Sequence, residues 1–204
     1  MVQLATTSDQ KDTADEVMSK RARLVRSGIV YVAGSGQAGS TKASEKKDHA
    51  PKRVPLVFTI GHSTRPLEDL TQLLRENQVD TVVDIRTIPH SQHNPQFNKE
   101  VLVEKLKTVG FTYIHMPGLG GLRRPRADSP NTGWRNSTFR GFADYMQTKE
   151  FEENLQELMN LASRAQTSLL CAEAVPWRCH RSLIADELLV RGVRVEYILG
   201  LVTS

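Results

Sequence analysis

The sequence predicts a single α/β domain, a mostly parallel five-stranded sheet flanked by helices, preceded by a disordered extension. Three observations carry that prediction. From Val54 onward, short apolar runs alternate with stretches of helical periodicity. Residues 1–53 largely lack periodicity and are rich in Ser, Thr, Lys, Asp and Gly. The formal net charge of +4 lies wholly in that segment, which holds ten Lys/Arg against six Asp/Glu, whereas residues 54–204 hold seventeen of each. Global charge therefore says little about the domain's ligand, and local clusters must carry any such signal.

The elements follow in order. Residues 1–53 read as a flexible basic extension, with Gly34–Ser40 as linker and Asp15–Arg26 as a transient helix. Within it, Ile29–Ala33 offers an edge strand or a loosely docked segment as the alternative to disorder. The domain proper, 54–204, opens with a strand at Val57–Ile60, stopped by Gly61-His62-Ser63. Pro66 suits a first helical turn, and Leu67, Leu70, Leu73 and Leu74 keep helical spacing behind it. Val79–Ile85 is a buried strand, and a polar loop, Arg86–Pro95, follows it. A helix near Lys99–Val109 stops at Gly110 before a strand at Phe111–His115. The irregular stretch Met116–Thr138 is long enough to read as a functional loop or as disorder. Helices near Phe139–Gln147 and Phe151–Ala165, a strand at Leu169-Leu170, a helix at Ser182–Val190 and a strand at Val193–Leu199 complete the domain.

In open parallel sheets, ligands bind beyond the carboxyl ends of the strands. The residues that follow each strand are unusually rich in His, Cys and Arg. They are Gly61, His62 and Ser63; Asp84, Arg86, His90 and Ser91; His115 with Gly120 and Gly121; and Cys171, Glu173, Cys179, His180 and Arg181. Cys179, at a helix start beside His180 and Arg181, has the surroundings of an activated thiolate, or those of a packed cysteine. Cys171, ending a buried strand, reads first as core. Glu173 and Asp84 are the acid/base candidates, Glu173 through burial just past a strand. Arg181 complements an anion at a helix N-terminus, and Arg86 either does the same or pairs with Asp84 or Glu173. Arg123, Arg124, Arg126, Arg135 and Arg140, with Trp134 among them, form either a phosphate-binding patch or a solvated surface.

Other chemistries lack their spacing. There is no Walker A loop, no G-x-G-x-x-G after a strand, no G-x-S-x-G elbow and no recognised metal-ligand pattern, so neither cofactor nor metal is expected. No apolar run approaches the ~18–20 residues of a membrane span. Two cysteines eight apart fit a reducing, cytoplasmic compartment better than a disulfide framework. Nothing in the sequence fixes an oligomeric state.

The order of blocks resembles the domain of unknown function family DUF488. The blocks are F-T-I-G-H-S-T, V-D-I-R-T-I-P-H-S with P-Q-F-N, Y-I-H-M-P-G-L-G-G, W-R-N-S-T-F-R-G-F-A-D-Y-M and L-L-C-A-E-A-V-P-W-R-C-H-R, spread over about residues 57–199. The resemblance implies a cytosolic α/β domain whose shared site is formed by these blocks, and it supplies no reaction. Three readings stay open: an enzyme acting on a phosphate-bearing small molecule or nucleic acid, a non-catalytic nucleic-acid-binding module, and a thiol- or metal-dependent redox or sulfur-handling protein.

Overall fold

A computed structural model describes residues 29–34 and 55–201. The strands are β1 Ile29–Gly34, β2 Leu56–Gly61, β3 Thr81–Asp84, β4 Thr112–His115, β5 Thr167–Cys171 and β6 Arg194–Leu201. The helices are α1 Leu67–Glu76, α2 Lys99–Thr108, α3 Ser137–Tyr145, α4 Lys149–Ala162 and α5 Arg181–Val190. One sheet holds all six strands in the order β1-β6-β2-β5-β3-β4, and every pairing is parallel. The five expected strands are all present. The sixth, β1, contains the apolar Ile29–Ala33 stretch and pairs parallel with β6, with a shift of register between Val32 and Gly34. Of the expected linker, Gly34 ends β1, and the rest of it and the transient helix lie outside the described residues.

Local chemistry accounts for the boundaries. Pro66 immediately precedes α1, with Glu68 and Asp69 in the first turn against the helix dipole. The Asn136 side chain caps α3 by accepting from the N–H groups of Thr138 and Phe139, and the Thr148 hydroxyl caps α4 by accepting from Phe151.

Strand alternation divides the core into two layers. Phe58, Ile60, Val82, Leu170 and Ile198 pack with Leu70, Leu73 and Leu74 of α1 and Leu102 and Leu106 of α2. Val57, Val83, Leu169, Val195 and Tyr197 pack on the opposite face with α3, α4 and α5, through Phe142, Phe151, Leu155, Leu183 and Ile184. The chain thus leaves β2 and β3 toward one face and β5, which lies between them, toward the other. Where the connections of neighbouring parallel strands leave to opposite faces, a crevice opens at their carboxyl ends, and here it centres on β5.

The stretch 116–138 is not structureless. A short 3-10 turn covers Pro117–Leu119. Beyond it, the buried Asp144 carboxylate of α3 accepts from the Arg126 backbone N–H at 2.9 Å, the Ser129 hydroxyl at 2.6 Å and the Asn131 side-chain amide at 2.7 Å. One carboxylate on the inward face of a helix therefore gathers the loop. Asp144→Ala leaves those donors short of an acceptor, a loss of about 1–3 kcal/mol concentrated in the loop. Limited trypsinolysis checks this: cleavage after Arg126 and Arg135 should become several-fold faster in the variant, while cleavage elsewhere stays unchanged.

Candidate functional site

The β5 carboxyl end carries Cys171, after which the chain rises through Glu173 and a 3-10 turn at Pro176–Arg178, then returns at Cys179 to begin α5. Arg181, 1% exposed, fixes that return. Its guanidinium donates to the backbone carbonyls of Glu173 and, at 2.8 Å, Ala174. The Glu173 carbonyl is also why position 61 is glycine: a Cβ there would lie 1.9 Å from that oxygen. The β2 and β5 loops are thereby held against one another, with His62 and Ser63 donating their backbone N–H groups to Cys171 and Ala172.

The return brings both cysteines together. Reactive atoms of Cys171, Cys179 and His180 all lie within 4.8 Å of one another. The Cys179 sulfur is 3.7 Å from His180 Nδ1. His180 Nε2 is 3.1 Å from the Leu119 carbonyl, an acceptor only, so Nε2 carries the proton and Nδ1 presents its lone pair to the sulfurs. Gly121 makes room for the ring, because a Cβ would fall 2.3 Å from Nδ1, and Phe142 closes the other side with an edge contact at 4.9 Å. The Cys171 thiol, donating to Cys179, holds the Cys179 thiol well below its usual pKa despite burial, helped by His180 in the form that has accepted the thiol proton and by the Arg181 cation. That same hydrogen bond and its own burial push Cys171 up. Arg181 forms no ion pair among the described residues, and its Nε–H is buried without a partner. A Cys179 thiolate supplies negative charge beside this otherwise uncompensated cation.

A second cluster lies beside it, at the end of β3. Asp84, 0% exposed, accepts from Arg86 at Nε (2.9 Å), NH2 (2.5 Å) and the backbone N–H (3.0 Å), and from the Tyr113 hydroxyl (2.8 Å). Arg86 donates further to the Phe97 carbonyl at 2.9 Å and to His62 Nε2 at 3.2 Å. The pair is satisfied internally, which makes Arg86 a brace for the β3 loop and leaves Asp84 with both oxygens engaged. Burial, with the Asp84 carboxylate beside it, pushes the Tyr113 phenol up. His62 stacks on Phe97 at 4.1 Å and donates Nδ1–H to the Ser63 carbonyl, and burial lowers its pKa to about 4. Ser63 itself sits at φ 49, in the left-handed region.

The remaining expected residues fall as follows. Glu173 is exposed, not desolvated; its carboxylate accepts from the Val175 N–H, and its contribution to the site is its backbone carbonyl. Ser91 ties its own loop, donating its backbone N–H to the Asn98 side chain and accepting from Asn94 N–H. Gly120 lets Thr87 approach, since a Cβ would lie 2.2 Å from its hydroxyl. Arg140 donates twice to the Trp134 carbonyl, and Arg123 donates to the Gly118 and Gly120 carbonyls while lying over the Tyr145 ring at 3.5 Å. Arg124, Arg135 and Arg178 are exposed. His115 contacts the Arg86 carbonyl and Lys99, and His90 is exposed.

The neutral His62 has a consequence for stability. Below pH 6.5 the unfolded chain takes a proton that the folded chain refuses until about pH 4, so stability falls as pH drops through that window and levels off beneath it. The contribution is at most about 3 kcal/mol at pH 7. Urea midpoints from pH 7 to 4 should fall less steeply in His62→Phe, which keeps the stacking on Phe97 but has no proton to take.

Among the described residues, no helix is long and apolar enough to cross a membrane. The model of the family described as "Domain of unknown function DUF488" matches residues 66–188, from the start of the first helix into the last one. No curated protein and no solved structure matches the chain. The family match contains Asp84, Arg86, the Gly120-Gly121 turn and the whole Cys171–Arg181 loop, with Gly61-His62-Ser63 just ahead of it. The chain is a member of the DUF488 family.

Proposed function

We propose that this domain is an enzyme that uses Cys179 as its nucleophile, with His180 as the group that takes the thiol proton, on a phosphate-bearing substrate. The observation that carries the reading is the 3.7 Å approach of the Cys179 sulfur to a His180 nitrogen whose partner nitrogen is pinned to the Leu119 carbonyl. A nucleophile with a base in reach, and a third group orienting the base, is the recurring arrangement of covalent catalysis. Support for an anionic substrate comes from Arg181, whose buried Nε–H has no partner, and from Arg178, Arg124 and Arg135, which are exposed on loops. Exposed Trp177, between Pro176 and Arg178, adds an aromatic face on which a base of a nucleotide or nucleic acid would stack. Two free thiols suit a reducing, cytoplasmic setting.

Of the other acid/base candidates, Asp84 is tied to Arg86 and Tyr113, and Glu173 faces solvent, so the thiol and imidazole are the groups left poised to react. The test uses reduced, chelator-treated protein and iodoacetamide, with the modified residue mapped by mass spectrometry. Cys179 should label ahead of Cys171 and faster than in the urea-unfolded chain. His180→Asn should slow labelling at least ten-fold with an unchanged melting curve, and pyrophosphate or a nucleoside diphosphate should protect the wild type. A Cys179 that reacts no faster than in the unfolded chain refutes the nucleophile, and labelling indifferent to every phosphate compound refutes the substrate class.

A further inference from the structure

Beyond that reading, the geometry points to a zinc site formed by Cys171, Cys179 and His180, with a fourth position left for solvent or ligand. No pattern in the sequence announces it, because the two cysteines are eight residues apart and the histidine adjoins one of them.

The distances fit a single ion. Tetrahedral zinc holds sulfur at about 2.3 Å and imidazole nitrogen at about 2.0–2.1 Å, which sets sulfur and nitrogen about 3.5 Å apart and two sulfurs about 3.8 Å apart. Here the Cys179 sulfur and His180 Nδ1 stand 3.7 Å apart, and all three donor atoms fall within 4.8 Å of one another. Coordination asks the donor atoms farthest apart to approach by about 1 Å, shared between two side chains. The imidazole is already oriented as a ligand: Nε2–H is held by the Leu119 carbonyl, so the lone pair on Nδ1 is directed at the sulfurs. Gly121 and Phe142 confine the ring from either side. Both sulfurs are buried among apolar residues, which slows exchange of a bound ion.

Two thiolates and one imidazole select a soft or borderline cation and disfavour magnesium or calcium. Binding requires both sulfurs as thiolates and an unprotonated Nδ1, so whatever protons these three atoms carry leave to solvent, and Zn²⁺ with two thiolates is neutral in charge. Arg181 remains beside the centre as a positive group able to pair with an anion in the fourth position. Zinc and an electrophile compete for the same Cys179 lone pair, so the ion masks the nucleophile proposed above, although its binding does not depend on that reading.

The test uses the full, untagged chain, reduced and stripped with a chelator, titrated with Zn²⁺ against a chromogenic competitor. One zinc per chain should be retained, and the cobalt(II) form should show thiolate-to-metal charge-transfer absorption in the near ultraviolet. Cys171→Ser and Cys179→Ser, with folding confirmed by circular dichroism, should each weaken binding at least ten-fold. Stoichiometric zinc should also abolish iodoacetamide labelling of Cys179. Failure to retain zinc overturns the site, as does retention that both serine variants leave unaltered, since that places the ion on exposed histidines. Zinc retained with the expected variant losses, alongside an unreactive Cys179 in the stripped protein, upholds the metal site and sinks only the nucleophile.

Discussion

The centre depends on one buried guanidinium. Arg181 donates to two consecutive backbone carbonyls, those of Glu173 and Ala174, and so closes the chain that leaves β5 back onto the start of α5. Without that closure, Cys171 at a strand end and Cys179 at a helix head have no reason to meet. Placing an arginine at 1% exposure with no carboxylate partner among the described residues is costly, and carbonyl dipoles compensate only part of its charge. A nearby thiolate, or an anion brought by a ligand, lowers that cost. The brace that shapes the loop thereby also biases the chemistry inside it.

Around this loop the sheet supplies a rigid frame. Because β5 sends its chain to one face while β2 and β3 send theirs to the other, the loops after these three parallel strands diverge around a crevice at their carboxyl ends. The Asp84–Arg86–Tyr113–His62 cluster is best understood as part of that frame. Each of its members bonds to another, and Arg86 additionally holds the Phe97 carbonyl. Such a fully paired network rigidifies the wall of the crevice.

The element order and the rim were legible from the sequence because they rest on local signals: apolar runs, helical spacing, and loops rich in His, Cys and Arg. Cys179 and His180 stood out for the same reason, being adjacent at a helix start. What escaped was whatever depends on a distant partner. Whether Arg86 binds a ligand is decided by Tyr113, Phe97 and His62, whose side chains and carbonyls saturate the Asp84–Arg86 pair. Glu173 reads as a desolvated acid from its place after a buried strand, yet the chain turns its side chain outward and uses its carbonyl. Cys171 reads as core, and it is core; its second role comes from a loop closure no spacing rule encodes. Asp144 could have been noticed, since a carboxylate between Phe142 and Tyr145 on an inward helix face needs buried donors.

The parallel pairing of β1 with β6 changes which strand forms the margin of the sheet. A sheet is vulnerable at its margins, where unpaired backbone groups can recruit another chain. At one margin here lies β4, only four residues long and a poor template. The other would be β6, eight residues long, whose buried Val195, Tyr197 and Ile198 sit in both packed layers. By lying along it, β1 takes up the hydrogen-bonding groups of β6 and offers a shorter strand to the outside. A segment well outside the matched family region thus completes the sheet beside its longest strand.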